Sequence, residues 1–354
     1  MCRLSKMNLE ALLNKCLETG NLKREEIVYL LSLQDQGAIE SLYRVADKVR
    51  ELNCGSDVYI RGLIEFSNVC ARNCYYCGLR RENKRVQRYR MTPEEIVETS
   101  IQIVRKGIGT VVLQSGEDPW FTADIMAGII RDIKSHAECA ITLCIGERTY
   151  DEYKLMKQAG ADRYLLRHET ANPELYRKLH PDMSFENRVR CLHDLKSLGY
   201  QVGAGSMVGL PGQTVEDMAD DIIFLRDLEV DMAGIGPFIP HPNTPLGDQP
   251  GGTLEMTLKM VALARIVTRN AHLPATTAVG SIDPVGRTKA LMVGANIVMP
   301  NFTPLKYRVN YEIYPNKQYT DSDPDSTYNS ICKSIESIGR TIGKGMGHSL
   351  KLRA

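Results

Sequence analysis

The sequence lacks an excess of charge of either sign and lacks long apolar runs. Its 354 residues include 44 Lys and Arg against 43 Asp and Glu, so no overall electrostatic field attracts nucleic acid or an anionic membrane. No run of roughly 18 uncharged apolar residues occurs, which argues against a membrane span. We therefore expect no nucleic-acid partner, no membrane partner, and a substrate that is recognised locally.

The N-terminus also lacks the continuous apolar core of a secretory signal peptide, because charges interrupt its apolar positions. This pattern predicts an amphipathic helix and a cytoplasmic protein. The ten cysteines would then lie in a reducing compartment, where clustered thiols bind metal or react more often than they form disulfides.

No repeat, low-complexity stretch or long linker divides the chain, which favours one continuous domain. From residue 58, short β-rich apolar runs alternate with segments of helical period. The runs are VYIRGLIEFS, GTVVLQSG, CAITLCIG, DRYLLRHE, YQVGAGSMVG, DMAGIGPF, PATTAVG and ANIVMP. The pattern predicts an α/β protein: a complete (β/α)8 TIM-type barrel over residues 58–301, with an N-terminal helical extension (1–57) and a C-terminal cap (302–354).

Polar residues collect where the predicted strands end, which is where barrel enzymes place their active sites. They are Ser67, Asn68, Ser115, Gly116, Glu117, Asp118, Arg167, His168, Glu169, Ser206, Thr276 and Thr277. The sequence therefore predicts a functional site at the carboxyl ends of the strands.

A triplet of cysteines, Cys70, Cys74 and Cys77, follows the first predicted strand. A structural zinc site usually has four ligands, and this loop contains no fourth Cys and no His. Thiolates are the usual protein ligands of iron–sulfur clusters. Three thiolates would leave one iron of a [4Fe–4S] cluster open to another ligand, and we favour this interpretation over zinc.

The basic residues and tyrosines of the same loop allow another interpretation, a nucleic-acid-binding loop. These residues are Tyr75, Tyr76, Arg80, Arg81, Lys84, Arg85, Arg88, Tyr89 and Arg90. Glu82 interrupts the run and the whole chain is almost neutral, so a solvated or ion-paired loop is the favoured interpretation.

The C-x3-C-x2-C spacing resembles that of the radical S-adenosylmethionine superfamily. Further strings resemble the HydE family of [FeFe]-hydrogenase maturases, within the biotin-synthase-like radical enzymes, over about residues 58–315. They are FSNVCARNCYYCGLRR, LQSGEDP, GADRYLLRHETANPELYRKLHPD, GAGSMVGLPGQT, GIGPFIPHPNTPL and PATTAVG. The resemblance implies a [4Fe–4S] cluster that reductively cleaves S-adenosylmethionine to a 5′-deoxyadenosyl radical. It also implies a sulfur-containing substrate, small-molecule or organometallic, with other hydrogenase maturases as partners.

The resemblance also implies roles for single residues. Cys70, Cys74 and Cys77 would be the metal ligands, and they form the catalytic set with Arg167. The cofactor-binding set would be Tyr76, Ser115, Gly116, Thr142, Glu169, Arg188 and Tyr311. The substrate-binding set would be Arg167, Thr276, Thr277, Met299 and Tyr314. On this matching Glu169 and Arg188 hold the two ends of the methionine moiety, and Arg167 anchors a substrate carboxylate. Alternatively, Arg167 and Glu169 pair only with each other.

Other functions remain open at this point. Near the C-terminus only Cys332 could serve the accessory cluster of some HydE proteins, so a second cluster is doubtful. A methylornithine synthase-like mutase, a biotin synthase-like sulfur-insertion enzyme and a non-catalytic metal-binding maturation scaffold are the alternatives. The scaffold alternative predicts no formation of 5′-deoxyadenosine.

Overall fold

The computed structural model describes residues 7–318 and 323–353. Its strands are short, and those of the central sheet are largely buried. The strands are β1 (Asp57–Ile60), β2 (Gly62–Ser67), β3 (Thr110–Ser115), β4 (Ala140–Cys144), β5 (Arg163–Leu165), β6 (Gln201–Ala204), β7 (Met207–Val208), β8 (Met232–Ala233), β9 (Gly236–Pro237), β10 (Ile297–Val298) and β11 (Thr341–Ile342). Parallel strands buried in this way need helices to cover them.

Helices fill the connections between the strands. They are α1 (Leu9–Glu18), α2 (Arg24–Leu31), α3 (Gln36–Cys54), α4 (Pro93–Arg105), α5 (Ala123–His136), α6 (Tyr150–Gln158), α7 (Pro173–Leu179), α8 (Phe185–Ser197), α9 (Val215–Asp227), α10 (Leu254–Thr268), α11 (Thr277–Ile282), α12 (Gly286–Met292), α13 (Leu305–Arg308) and α14 (Pro324–Ser337). Within the described ranges, no helix combines the length and the apolar character needed to cross a bilayer.

Local capping explains where the helices begin. At α4, the Thr92 hydroxyl accepts from the backbone N–H of Glu95 at 3.2 Å, and the Glu95 carboxylate accepts from the N–H of Thr92 at 2.9 Å. This reciprocal capping box satisfies two backbone donors that the helix itself cannot. Ser184 and Thr214 cap α8 and α9 in a similar way.

Parallel pairing closes the strands into a barrel. One sheet has the order β2-β3-β4-β5-β6-β8. Isolated parallel bridges continue the pairing, between Met232 and His272, Pro274 and Ile297, and Leu63 and Asn301. The six strands, the segment 272–274 and β10 together make the eight members of a ring that returns to β2. The predicted TIM-type fold class is confirmed.

The seventh predicted strand, PATTAVG, is correct only at its start. Pro274 pairs with Ile297, but α11 begins at Thr277 and Thr276 is its N-cap residue. A proline has no N–H to donate to a strand ladder, so pairing is confined to a single bridge here. Thr276 and Thr277 therefore lie at a turn into a helix and not along a strand.

Helices α1, α2 and α3 precede the first strand, as predicted for this part of the chain; residues 1–6 lie outside the described residues. Helix α3 packs on α10, and α2 packs on α9. The buried Lys259 of α10 donates to the backbone carbonyl of Leu33, at 2.6 Å, beyond the end of α2. These contacts hold the N-terminal helices against the barrel, while the domain boundaries at residues 57 and 301 stay predictions.

A C-terminal segment, residues 343–351, covers the amino-terminal end of the barrel, and we call it the floor segment. Just before it, β11 pairs in parallel with β1. Carbonyls of the floor segment accept hydrogen bonds from side chains of the barrel: Met346 O from Thr110 Oγ1 (2.7 Å) and Arg163 Nη2 (2.7 Å), Gly347 O from Arg61 Nη2 (3.3 Å), and His348 O from His272 Nε2 (3.0 Å). The barrel is thus closed at the end opposite the predicted site.

Candidate active site

The cysteine loop, residues 68–91, connects β2 to α4 and is organised by arginine side chains. The Arg88 guanidinium donates to four backbone carbonyls of the loop, those of Asn68 (2.6 Å), Leu79 (2.9 Å), Arg80 (2.8 Å) and Asn83 (3.2 Å). Arg90 pairs with Asp118 at 2.7 Å. These two basic residues bind groups of the protein itself, as the ion-paired interpretation of the loop predicted.

A cavity of about 280 Å³ lies between this loop and the carboxyl ends of the strands. Most of the predicted site residues line it: Cys70, Cys74, Tyr76, Cys77, Ser115, Gly116, Arg167, Glu169, Arg188, Tyr311 and Tyr314. Cys144, at the end of β4, adds a further thiol to the lining. The nine described cysteines all carry free thiols. Among the described residues, no three His, Cys, Asp or Glu side chains converge on a single-ion site.

Four predicted site residues lie outside this cavity. Thr142 and Met299 line a much smaller one, of about 20 Å³, deeper in the barrel beside Arg61. Thr276 is the N-cap residue of α11, and Thr277 is the first residue of that helix. The structure does not bring these four side chains to the cysteines, and their roles stay predictions.

Gly116 lies where the turn after β3 meets the cysteine loop. A methyl group on Gly116 would lie 2.3 Å from the Val69 carbonyl oxygen and 2.8 Å from Cys70 Cβ. The N–H of Gly116 also donates to the carbonyl of Ser67 at 3.0 Å, so the turn is anchored. Only glycine permits so close an approach of the two backbones.

We expect Gly116→Ala to displace Cys70 and to lower the iron and sulfide content of the protein after anaerobic reconstitution. Overpacking of this kind costs about 1–3 kcal/mol, and the cysteine loop is the element that must move. The matched control is Gly128→Ala in α5, where an added methyl group meets no atom within 4 Å. A wild-type iron content in Gly116→Ala would show that this contact does not position the loop.

Tyr76 forms a wall of the cavity beside Cys77, and His180 fixes its ring. The Tyr76 hydroxyl lies 2.7 Å from His180 Nε2. The other ring nitrogen of His180, Nδ1, lies 2.8 Å from the carbonyl of Tyr176, so Nδ1 carries the proton and Nε2 accepts from Tyr76. Burial of the ring lowers the pKa of His180 to about 3, and the positive charge of the nearby Arg188 contributes to this shift. The ring is therefore neutral at physiological pH.

Glu169 has a left-handed backbone, with φ of 67°, which non-glycine residues rarely adopt. Two backbone hydrogen bonds hold it there, from its N–H to Gly205 and from the N–H of Met207 to its carbonyl. Strain of this kind costs about 1–3 kcal/mol and clusters at functional sites. Glu169 Oε2 lies 3.0 Å from Arg167 Nη2, yet neither atom makes an aligned hydrogen bond. The two side chains pair, and both can still bind a ligand.

The partner of Arg188 is a residue that the sequence did not predict. Arg188 lies in the first turn of α8, and its Nε donates to Glu147 Oε1 at 2.8 Å. Burial lowers the pKa of the Arg188 guanidinium, but Tyr176 and Glu147 raise it by more, so this pKa lies above its ordinary value. Glu147 follows β4 in the string CIGE, where the preference for polar residues at strand ends could have identified it.

Burial raises the pKa of the loop thiols. It raises the pKa of Cys77 to about 12, with a further contribution from Cys70, and the pKa of Cys74 lies well above its ordinary value for similar reasons. A bound metal centre deprotonates a coordinating thiol outright. The grouping of these partly buried thiols therefore fits a metal cluster, whose positive charge would stabilise the thiolates.

Comparison with known proteins defines the class of enzyme. The family model described as the radical SAM superfamily matches residues 64–225, a range that begins within β2, contains the whole cysteine loop and ends within α9. The crystal structure of methylornithine synthase (PylB) has a TM-score of 0.83 to this chain at 27% sequence identity, covering 94% of this chain and 97% of that one.

Relatives of known identity narrow the class to a family. The chain is 52% identical to the [FeFe] hydrogenase maturase subunit HydE of Thermotoga maritima, over 94% of this chain and 95% of the relative. It is 30% identical to 3-methylornithine synthase of Methanosarcina barkeri, with 93% of each chain covered. The chain therefore belongs to the HydE family of the radical SAM superfamily. It is a radical S-adenosylmethionine enzyme, and its cofactors are a [4Fe–4S] cluster and S-adenosylmethionine.

Proposed function

We propose that this chain uses cleavage of S-adenosylmethionine in the maturation of [FeFe]-hydrogenase, acting on a small sulfur-containing or organometallic substrate inside the barrel. One observation carries the proposal: three thiols of one loop line the same cavity as a carboxylate and a guanidinium without aligned hydrogen bonds. When bound and reduced, the cluster supplies the electron that cleaves S-adenosylmethionine to methionine and a 5′-deoxyadenosyl radical.

The lining residues would divide the binding of S-adenosylmethionine among them. Cys70, Cys74 and Cys77 would hold the cluster and leave one iron open. The Glu169 carboxylate would accept hydrogen bonds from the amino group of the methionine moiety, and the Arg188 guanidinium would donate to its carboxylate. Charge-assisted hydrogen bonds of this kind are roughly twice as strong as neutral ones.

Residues around the rest of the cavity would hold the adenosine moiety and stabilise the turn that follows β3. The Tyr76 ring, fixed by His180, would pack beside the adenine. Gly116 would let the backbone approach the methionine moiety closely, and Ser115 stabilises that turn by donating to the Gly116 carbonyl at 2.6 Å. The small residue at position 116 and the hydrogen bond that fixes the Tyr76 ring support these proposed roles.

The substrate would lie on the barrel side of the cavity, next to Arg167. Tyr314 also lines the cavity and would contact the substrate. The Tyr311 hydroxyl, which accepts from Gln114 at 3.3 Å, would lie between substrate and cofactor. A substrate carboxylate would bind Arg167, because Nε and Nη2 of this guanidinium have no hydrogen-bond partner in the part of the chain that the structure describes. The surrounding barrel and the floor segment would keep water away from the reacting atoms.

Electron paramagnetic resonance tests the proposal directly. The protein is reconstituted anaerobically with iron and sulfide, reduced with dithionite, and measured before and after addition of S-adenosylmethionine. A [4Fe–4S]+ signal whose g-values shift on addition is the expected result, because the cosubstrate would bind the open iron. Tightly bound stoichiometric zinc with no cluster signal would reject the proposal.

A second candidate function has a specific observation in its favour. The chain resembles 3-methylornithine synthase over almost its whole length, in sequence and in fold. A mutase of this kind would use the same cofactors, so the product separates the two functions. Formation of 3-methylornithine by the reconstituted enzyme would favour the mutase. Restored [FeFe]-hydrogenase activity in extracts that lack this protein would favour maturation.

A further inference from the structure

Glu147 lies just behind the cavity wall and touches both the cysteine loop and Arg188. Its side chain is 4% exposed. Oε1 accepts from Arg188 Nε at 2.8 Å, while Oε2 accepts from the Asn187 amide at 2.8 Å and lies 3.6 Å from Arg72 Nη2. The N–H of Glu147 donates to Glu117 Oε1 at 3.0 Å. The residue is therefore held at its backbone and at both carboxylate oxygens.

These contacts leave one nitrogen of Arg188 for a ligand. Nε is bound by Glu147, and Nη1 donates to the backbone carbonyl of Arg167. Among the described residues, Nη2 has no hydrogen-bond partner, and Arg188 lines the cavity. A guanidinium is planar and presents its donors in a rigid fork, so fixing two nitrogens fixes the direction of the third.

We propose that Glu147 is a positioning residue, which orients the Arg188 guanidinium toward the carboxylate of S-adenosylmethionine without touching the cofactor. This inference rests on the role proposed for Arg188. Arg72, which belongs to the cysteine loop, pairs with Glu117 as well as approaching Glu147. One buried carboxylate therefore links the loop that would hold the cluster to the arginine that would hold the cosubstrate.

Two substitutions separate this role from simple neutralisation of a buried arginine. In Glu147→Gln, one amide oxygen can still accept from Arg188, but the amide nitrogen faces the donors of Asn187 and Arg72. The side chain must then give up one of these two sets of contacts. Even an amide oxygen that faces Arg188 binds the guanidinium less strongly than a carboxylate does, so Arg188 is held less firmly in its orientation. Glu147→Asp keeps the charge but is one methylene group shorter, so it should place Arg188 less well than glutamate and better than glutamine.

The test measures the Kd of S-adenosylmethionine by equilibrium dialysis on the reconstituted proteins, together with iron content and melting temperature. For Glu147→Gln we expect a Kd raised about tenfold or more, as for other residues that orient ligand-binding groups, with wild-type iron content. Glu147→Asp should show a smaller rise. The matched control is Glu229→Gln, whose side chain is 72% exposed and pairs with Lys196 at 2.7 Å. Its Kd should stay within about twofold of wild type, as for surface substitutions in general.

An unchanged Kd in folded Glu147→Gln would overturn the inference, and so would a rise that appears only together with loss of iron. If Glu147→Gln does not fold, Glu147→Asp decides: a raised Kd at wild-type melting temperature supports the inference, and an unchanged Kd overturns it. The proposed function fails separately, because in that case the wild-type protein itself would not bind S-adenosylmethionine.

Discussion

Cys74→Ser should abolish the [4Fe–4S] cluster and with it all cleavage of S-adenosylmethionine. Two thiolates would be left to hold four irons, and a serine hydroxyl does not replace the soft thiolate that iron–sulfur clusters use. The measurements are iron and sulfide per chain, and 5′-deoxyadenosine formed under dithionite. We expect both to fall to background, while the circular dichroism spectrum stays that of the folded barrel.

Cys144→Ser is the matched control, because Cys144 lines the same cavity from strand β4 and not from the cysteine loop. Cluster content and the cleavage rate should be retained in this variant. Loss of the cluster in Cys144→Ser, or its retention in Cys74→Ser, would contradict the assignment of three ligands from one loop.

Arg167→Ala should keep the cluster and the cleavage of S-adenosylmethionine while losing the product. The Arg167 guanidinium is proposed to bind the substrate, and a hydrogen bond to a charged group contributes about 1.5–3 kcal/mol. Product formation should therefore fall roughly tenfold to a hundredfold or more. The measurement is the ratio of product to 5′-deoxyadenosine, which should drop because cleavage becomes uncoupled from turnover.

The pairing of Arg167 with Glu169 allows a second explanation of Arg167, which the same experiment distinguishes from substrate binding. If Arg167 mainly holds Glu169 in place for the cosubstrate, then cleavage and product will fall together and the Kd of S-adenosylmethionine will rise. Equal loss of both activities would thus contradict a role in substrate binding. Arg190→Ala is the control, because Arg190 lies on the outer face of α8 and pairs with Asp194.

The parts of the site that could be predicted are those encoded over short distances in the sequence. The spacing of Cys70, Cys74 and Cys77 places three thiols in one loop, and alternating strand and helix patterns place that loop at the carboxyl end of a barrel strand. Gly116 was predicted to bind the cofactor, and that role stays a prediction; its close approach to Cys70 is a contact that the sequence did not indicate. Recognition of the family supplied the roles that residue chemistry alone left open.

The depth at which a side chain lies inside the barrel could not be predicted from the sequence. Thr142 and Cys144 are two residues apart on β4, so both side chains point to the same face of the strand. They nevertheless line different cavities, because two residues of strand correspond to about 6.6 Å along the barrel. Which of the two meets the cofactor depends on strand tilt and register, and sequence periodicity contains neither.

Contacts between distant segments were also beyond the sequence. Glu147 and Arg188 are 41 positions apart, and nothing in either string indicates the other. A polar residue was expected at each strand end, yet the expectation does not say which helix will supply the opposite charge. That pairing follows from how α8 packs beside α6 and β6 in the folded protein.

The floor segment has a consequence for how its sequence can diverge. It accepts hydrogen bonds from Arg61, Arg163 and His272 through backbone carbonyls, a group that every amino acid carries. Many substitutions in this segment would leave those bonds intact; Gly343 and Gly347 are exceptions, since a Cβ would lie 2.6 Å from the Tyr59 ring at position 343 and 2.7 Å from it at position 347. A single inserted or deleted residue, by contrast, would move the carbonyls by about 3 Å. These carbonyl contacts therefore tolerate a change of residue type at many positions of the floor segment, but they do not tolerate a change in its length.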